Sequence, residues 1–293
     1  MNALVVSKAA ADPASANRPK ALANLPPFPA IARKLLAAVS RESVTIPEIT
    51  RLIKSDAAFT GEVLRLANSA IIGLRYEVVS ILHAVSVLGM DRLKALVLTV
   101  GMRDFLQNAR HAPFLKQCWR HQLASALIGE WLAEPCWLDS AACYTAGLLH
   151  DVGKLALGSI YPSQYDEVLR RARASGEDLR QLEQEAMGID HREASRTIAD
   201  EWALPRQLRK VLCLEESTGG DEAFTDATLI LLSCHIADRM GFQIAGEDAE
   251  WDVSLLEEGL PPEAWSAVSP KVRELREAVP YKINLFECEF LNH

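Results

Sequence analysis

The residues best suited to chemistry lie in the run Ala146-Gly147-Leu148-Leu149-His150-Asp151-Val152-Gly153-Lys154-Leu155. His150 and Asp151 are adjacent at the end of an apolar helical stretch. Neighbours on a helix point about 100° apart, so at a helix terminus both side chains can converge on one point beyond it. Neutral imidazole with a carboxylate suits a divalent ion of the Fe, Mn, Ni or Zn kind. Two ligands do not hold a metal, and two further candidates stand elsewhere. His121 lies in the helical stretch 119–128 and Asp238 in the stretch 231–239, each on a helix of its own.

The elements that would carry these residues can be read from capping and periodicity. Residues 1–21 are expected to be a disordered leader, rich in small residues with little to bury. Leu25-Pro26-Pro27-Phe28-Pro29 leads into a helix, since proline is accepted before and within the first turn. Ile31, Leu35, Leu36 and Val39 then recur at helical spacing. Thr45 and Glu48 predict a capping box; Ser55-Asp56 opens another helix that ends at Asn68-Ser69-Ala70. Ser80 caps a helix stopped by Gly89, and Asp91 caps the next one, reaching Phe105. No alternating strand pattern is present in this half. Further along, 217–221 is a loop, and an apolar helix from Thr225 to Met240 would bring in Asp238. Residues 245–293 alternate acidic loops with short helices that start near Pro261-Pro262 and Ser269-Pro270.

The chain has 293 residues, 49% hydrophobic and 24% charged, an ordinary globular composition. A net charge of −8 supplies no global positive field to draw in phosphates, which argues against nonspecific binding to nucleic acid or anionic membrane. Residues 46–70 can be drawn as a helix-turn-helix, but the second helix offers few groups able to read bases, so direct DNA binding is not expected. Six cysteines are scattered without a Cys-x-x-Cys pair, which fits reduced thiols in the cytoplasm. No stretch approaches the roughly 20 apolar residues of a membrane span, and no signal peptide is evident.

The order His121 … His150-Asp151 … Asp238 resembles the HD superfamily of metal-dependent phosphohydrolases. The match sharpens through Leu25-Pro26-x-Phe28-Pro29, Ser55-Asp56-Ala57-Ala58-Phe59-Thr60, Leu64-Arg65-Leu66-Ala67-Asn68-Ser69-Ala70, Ser80-Ile81, Ala84-Val85 and Leu88-Gly89. It continues through His121, Gly147 to Gly153, Gly188-Ile189-Asp190-His191 and Trp202-Ala203-Leu204-Pro205. On these motifs the chain is similar to the HDOD family over about 200 residues. The resemblance implies an all-α fold in which an N-terminal helical subdomain (22–110) packs on an HD-like helical core (111–216). Residues 217–293 would be a helical extension that completes the core.

By the same resemblance, His121, His150, Asp151 and Asp238 would ligate a metal. His191 matches a histidine that serves a second metal in two-metal relatives, and Lys154 stands where those relatives place a lysine near the substrate phosphate. In an enzyme, Lys154 and Asp151 would be the catalytic residues, the metal lowering the pKa of a bound water. The chain also departs from the pattern. Where related sequences commonly carry a His-His pair, this one has Glu215-Glu216, further potential ligands, and the Gly-Tyr-Pro signature of cyclic-di-GMP hydrolysis is absent. HDOD domains are generally viewed as regulatory modules. The expected function is therefore binding, of a signalling protein in trans or of a small nucleotide-like ligand. A metal-dependent phosphohydrolase acting on a phosphomonoester or phosphodiester is the alternative.

Overall fold

A computed structural model of the chain describes residues 20–22, 30–39, 44–69, 72–108, 113–202, 204, 209, 212, 224–244 and 250–288, and among them every regular element is helical. Residues 1–19 of the expected leader, the proline-rich segment 25–29 and the pair Glu215-Glu216 lie outside the described residues.

The N-terminal part consists of α1 (Ala30–Val39), α2 (Ile46–Lys54), α3 (Ala57–Ala67) and α4 (Ile81–Asn108). Their starts are set by local chemistry. Thr45 Oγ1 accepts from the Glu48 N–H at 3.4 Å, Asp56 Oδ1 from Phe59 at 2.9 Å, and Ser80 Oγ from His83 at 3.1 Å; such caps contribute about 1 kcal/mol each. Asn68 ends α3 and pins the following loop. Its Nδ2 donates to the Leu64 and Val78 carbonyls, and its Oδ1 accepts from the Val78 N–H at 2.7 Å. α4 is two helices in one run, broken where Gly89 takes φ 77°, a backbone conformation open to glycine at little cost. This is the stop expected from the sequence.

The second part contains α5 (Pro113–Ala133), α6 (Ser140–Leu149), α7 (Val152–Ile160), α8 (Pro162–Ser175), α9 (Leu179–Met187), α10 (His191–Glu201) and α11 (Asp226–Ala237). α5 is the central rod. It is buried on nearly every side from Cys118 to Ala133, as expected of a helix without a polar face. It packs along α6 and α11, while α7 packs on α10. Two glycines make these contacts close. A Cβ on Gly147 would lie 2.6 Å from Ala126 Cα in α5, and one on Gly153 would lie 1.9 Å from the His191 carbonyl oxygen in α10. Any side chain there would force the helices apart.

The expected helix from Thr225 to Met240 is shorter than its apolar run. α-Helical geometry ends at Ala237 and continues as a five-residue π turn, Asp238–Phe242, with Gly241 at φ 87°. Short π segments re-aim side chains within a helix, and this one carries Asp238. Helices α12 (Ser254–Gly259), α13 (Pro262–Val268) and α14 (Val272–Phe286) complete the chain. α14 returns to the body: Ile283 and Phe286 are buried, and the Phe286 ring lies 5.3 Å from that of Trp119 in α5. One hydrophobic core is continuous from α1 to α14. Among the described residues no helix is long and apolar enough to cross a membrane.

Candidate functional site

α5, α11 and the end of α6 meet at one point, and each brings a donor to it. His121 comes from the middle of α5, His150 closes α6, and Cys234 projects from α11; one ligand atom from each lies within 4.8 Å of the others. The two imidazole rings are 5.3 Å apart between centroids. Both are oriented through Nδ1. His150 Nδ1 lies 2.7 Å from the Gly147 carbonyl, one turn back in α6. His121 Nδ1 lies 3.2 Å from the Phe242 carbonyl and 3.2 Å from Asp238 Oδ1. Acceptors at Nδ1 fix the N–H there and turn the Nε2 lone pair inward, which is how metal-ligating histidines are usually held. His150 Nε2 is buried and makes no hydrogen bond, although Asp151 Oδ2 is 3.4 Å away.

The cluster is electrostatically coupled. Burial alone would raise the Cys234 thiol, but the neighbouring His150 and His121 rings pull it down to about 6. Burial would lower His121, yet hydrogen bonding to Asp238 and the charge of Cys234 lift it to about 9. His150 opposes its own burial in the same way, held well above its ordinary value by Cys234 and Asp151.

Beside this corner the residues are already paired. Asp151, at the α6–α7 junction, receives the Lys154 ammonium at 2.6 Å. Burial would raise its carboxyl, but Lys154 and then His150 hold it well below the usual range. His191 opens α10 and directs both its backbone N–H and Nδ1 to Glu183 Oε2, at 2.8 and 2.6 Å. The Tyr165 hydroxyl donates to the other oxygen of Glu183 at 2.7 Å. Glu183 has no exposed surface at all, so its partners satisfy a carboxylate that would otherwise be costly to bury. The Gly153 N–H donates to Ser195 Oγ at 3.0 Å, which ties α7 to α10.

A cleft of about 310 Å³ joins both sets; His121, His150, Cys234, Asp151, Lys154 and His191 line it, with Arg192, His235 and Asp238 at its walls. A larger cavity of about 620 Å³ lies between α4, α5, α6 and the C-terminal helices, lined by Thr99, Trp131, Tyr144 and several charged side chains. The histidines His121, His150 and His191 line the smaller cleft and not this cavity.

A model of the HDOD domain matches residues 25–217. The chain belongs to the HDOD domain family. An uncharacterized protein of Treponema pallidum (strain Nichols) is 26% identical over 187 residues, which is 63% of this chain and 36% of that protein; the chain thus spans about a third of the length of the curated relative it matches. Among solved structures, a protein of Shewanella amazonensis SB2B provisionally named a phosphohydrolase superposes with a TM-score of 0.67 at 23% identity, covering 89% of this chain and 96% of its own. An HDOD domain protein of unknown function from Geobacter sulfurreducens gives a TM-score of 0.63 at 22% identity, over 88% and 93% of the two chains. These likenesses establish the fold.

Within that HDOD fold, the residues singled out from sequence fall into three groups. His121 and His150 come together. Asp151 and Lys154 border the same cleft but bond each other, and His191 bonds Glu183. Asp238 reaches His121 through Nδ1, and its side chain is 43% exposed. Two residues were not anticipated. Cys234 precedes Asp238 by one helical turn, which is the signal that could have found it. Glu183 sits in a polar stretch, and its partners come from α8 and from the start of α10. The donors fit a divalent cation: two inward-facing Nε2 atoms, one of them without a partner, and a thiol. They lie within 4.8 Å of one another, against the roughly 3.4–3.7 Å expected between N and S ligands of a tetrahedral zinc ion.

Proposed function

We propose that this HDOD protein is a cytoplasmic regulatory module of bacterial-type signal transduction, whose cleft binds a small nucleotide-like ligand and reports its occupancy to a signalling protein in trans. One observation carries this reading: the carboxylate a phosphohydrolase would need at its metal is engaged inside the protein, Asp151 being bonded by Lys154 at 2.6 Å. Breaking a buried pair of this kind costs about 3–5 kcal/mol, a penalty that a metal or a substrate phosphate would have to offset.

The remaining wall is suited to holding an anion. Arg192 and His235 line the cleft, and its volume is at the lower end of small-molecule sites, roughly 300–1,000 Å³. His121, His150 and Cys234 would hold a divalent ion, which when bound supplies positive charge facing the ligand. The cleft lies where α5, α6, α7, α10 and α11 meet, so occupancy there can alter how these helices pack and what surface a partner meets. The net charge of −8 also disfavours DNA as the ligand.

A second reading is a metal-dependent phosphohydrolase acting on a phosphomonoester or phosphodiester, favoured by the inward-facing His121 and His150 beside an open cleft. Two measurements on the full chain separate them. Calorimetric titration with mono-, di- and cyclic nucleotides is expected to give saturable binding that weakens in Arg192→Ala. Chromogenic phosphomonoester and phosphodiester assays with added Mn, Fe, Ni or Zn are expected to show no turnover above background. Metal-dependent turnover that disappears in Asp151→Asn would establish the hydrolase instead.

A further inference from the structure

We infer that Cys234 is a thiolate ligand, and that His121, His150 and Cys234 form a mononuclear N2S site selective for zinc-class ions, stapling α5, α6 and α11 together. The inference concerns the same cleft as the proposed binding function but does not rest on it.

Four observations support it. The three donors lie within 4.8 Å of one another, and each comes from a different helix. Both rings are anchored through Nδ1, to Gly147 for His150 and to Phe242 and Asp238 for His121, which leaves Nε2 of each ring as the atom to ligate a metal. The His150 side chain is 9% exposed, and its buried Nε2 has no hydrogen-bond partner, a deficiency that a buried polar atom rarely carries without reason. Finally, Asp151 Oδ2 is held by Lys154 at 2.6 Å while standing 3.4 Å from His150 Nε2, and Asp238 meets His121 on its Nδ1 side. Sulfur, in place of a carboxylate, is the third donor gathered with the two rings.

That replacement decides the metal. Thiolate with two imidazoles favours Zn(II), Co(II) or Fe(II), whereas Mg(II) and Mn(II) prefer oxygen donors. On binding, the Cys234 thiol proton leaves to solvent, each Nε2 lone pair is donated to the ion, and no redox change is required. Three protein ligands leave a tetrahedral ion one position for water or a ligand from the cleft. Ligands on three separate helices also couple ion binding to helix packing, so occupancy of the site and rigidity of the cleft rise together.

Co(II) titration of the metal-free full chain tests the assignment spectroscopically. Wild type is expected to bind one Co(II) per chain, with near-ultraviolet thiolate-to-cobalt charge transfer and the visible bands of a tetrahedral ion. Zn(II) should displace it, and a large excess of Mg(II) or Mn(II) should not. Cys234→Ala should abolish the charge-transfer band and weaken Zn(II) binding by more than the roughly 10–100-fold that loss of an outer partner costs. Cys234→Ser, nearly isosteric, tests the same point if the alanine variant folds poorly, and Cys143→Ala should behave as wild type. Absence of a charge-transfer band in wild type, its persistence without Cys234, or equal competition by Mn(II) would overturn the assignment. None of these outcomes depends on nucleotide binding, so failure of this site and failure of the binding function are distinguishable.

Discussion

At the α7–α10 end of the cleft, His191 gives its Nδ1 and its backbone N–H to Glu183, which Tyr165 holds from the other side. At the α5–α6–α11 end, His150 is equally buried in a helical junction, yet its Nε2 makes no hydrogen bond and stands 3.4 Å from Asp151 Oδ2, and the residue gathers with a thiol and a second imidazole. Both histidines were candidates from the same reading of the sequence, and both are anchored through Nδ1. What separates them is what gathers beyond that anchor: a second imidazole and a thiol lie within 4.8 Å at His150, and among the described residues no such donor cluster includes His191. A histidine tied to a buried carboxylate with no further donors around it serves the scaffold, and one set among other donors is available for chemistry.

That contrast can be broken from the scaffold side. The largest effect is expected from Glu183→Ala, which leaves the Tyr165 hydroxyl and the His191 ring without their acceptor in a fully buried place. Urea denaturation should show a loss of about 3–5 kcal/mol; a loss under about 1 kcal/mol would mean that the triad contributes little to the fold. Asp151→Asn should follow, at about 3 kcal/mol, because the buried Lys154 ammonium loses its counter-ion. The sign with pH is definite. The Asp151 carboxyl is held below its unfolded value, so its contribution is fully present above about pH 4 and is lost as pH falls through the depressed folded value. The gap between wild type and variant should therefore close in acid. Zinc uptake should stay stoichiometric in Asp151→Asn, which sharpens the division between the two ends.

Gly153→Ala should cost about 1–3 kcal/mol by overpacking, read as a fall in Tm, since the new Cβ meets backbone at the start of α10. The smallest effect is expected at Asp190, which caps α10 through the Glu193 N–H at 2.8 Å and receives Arg180 at 2.9 Å. Asp190→Ala should cost about 1 kcal/mol. Its carboxyl is also held below the ordinary value, by the capping bond and Arg180 against its burial, so this cost too is present above about pH 4 and fades in acid.

Much of the fold was legible in the sequence because it is written locally. Thr45, Asp56 and Ser80 cap the helices they were expected to cap, and Gly89 breaks α4 where the apolar pattern stops. Motif order was enough to indicate the HDOD family. The site was less legible, for two physical reasons. A helix end such as His150-Asp151 can be located from sequence, but which neighbour wins each side chain depends on packing: Lys154, expected near a substrate phosphate, instead bonds Asp151 at i+3, and nothing in the sequence marks Glu183 as the partner of His191. Cys234 reads as one more apolar residue in α11, and only its helical register with Asp238 hints that it faces the same cleft. The π turn at Asp238–Phe242 is likewise invisible in a periodic apolar run.

The most direct test of the two-ended cleft is the Tm of metal-free protein with and without Zn(II), in wild type, His191→Gln and His150→Ala. An ion that binds only the folded state stabilises it by mass action. The expected result is a rise of several degrees in wild type and in His191→Gln, the latter from a lower starting Tm, and no rise in His150→Ala. If His191→Gln abolished the zinc-dependent rise as fully as His150→Ala, metal chemistry would extend to both ends of the cleft, and the distinction between a structural and an available histidine would fail.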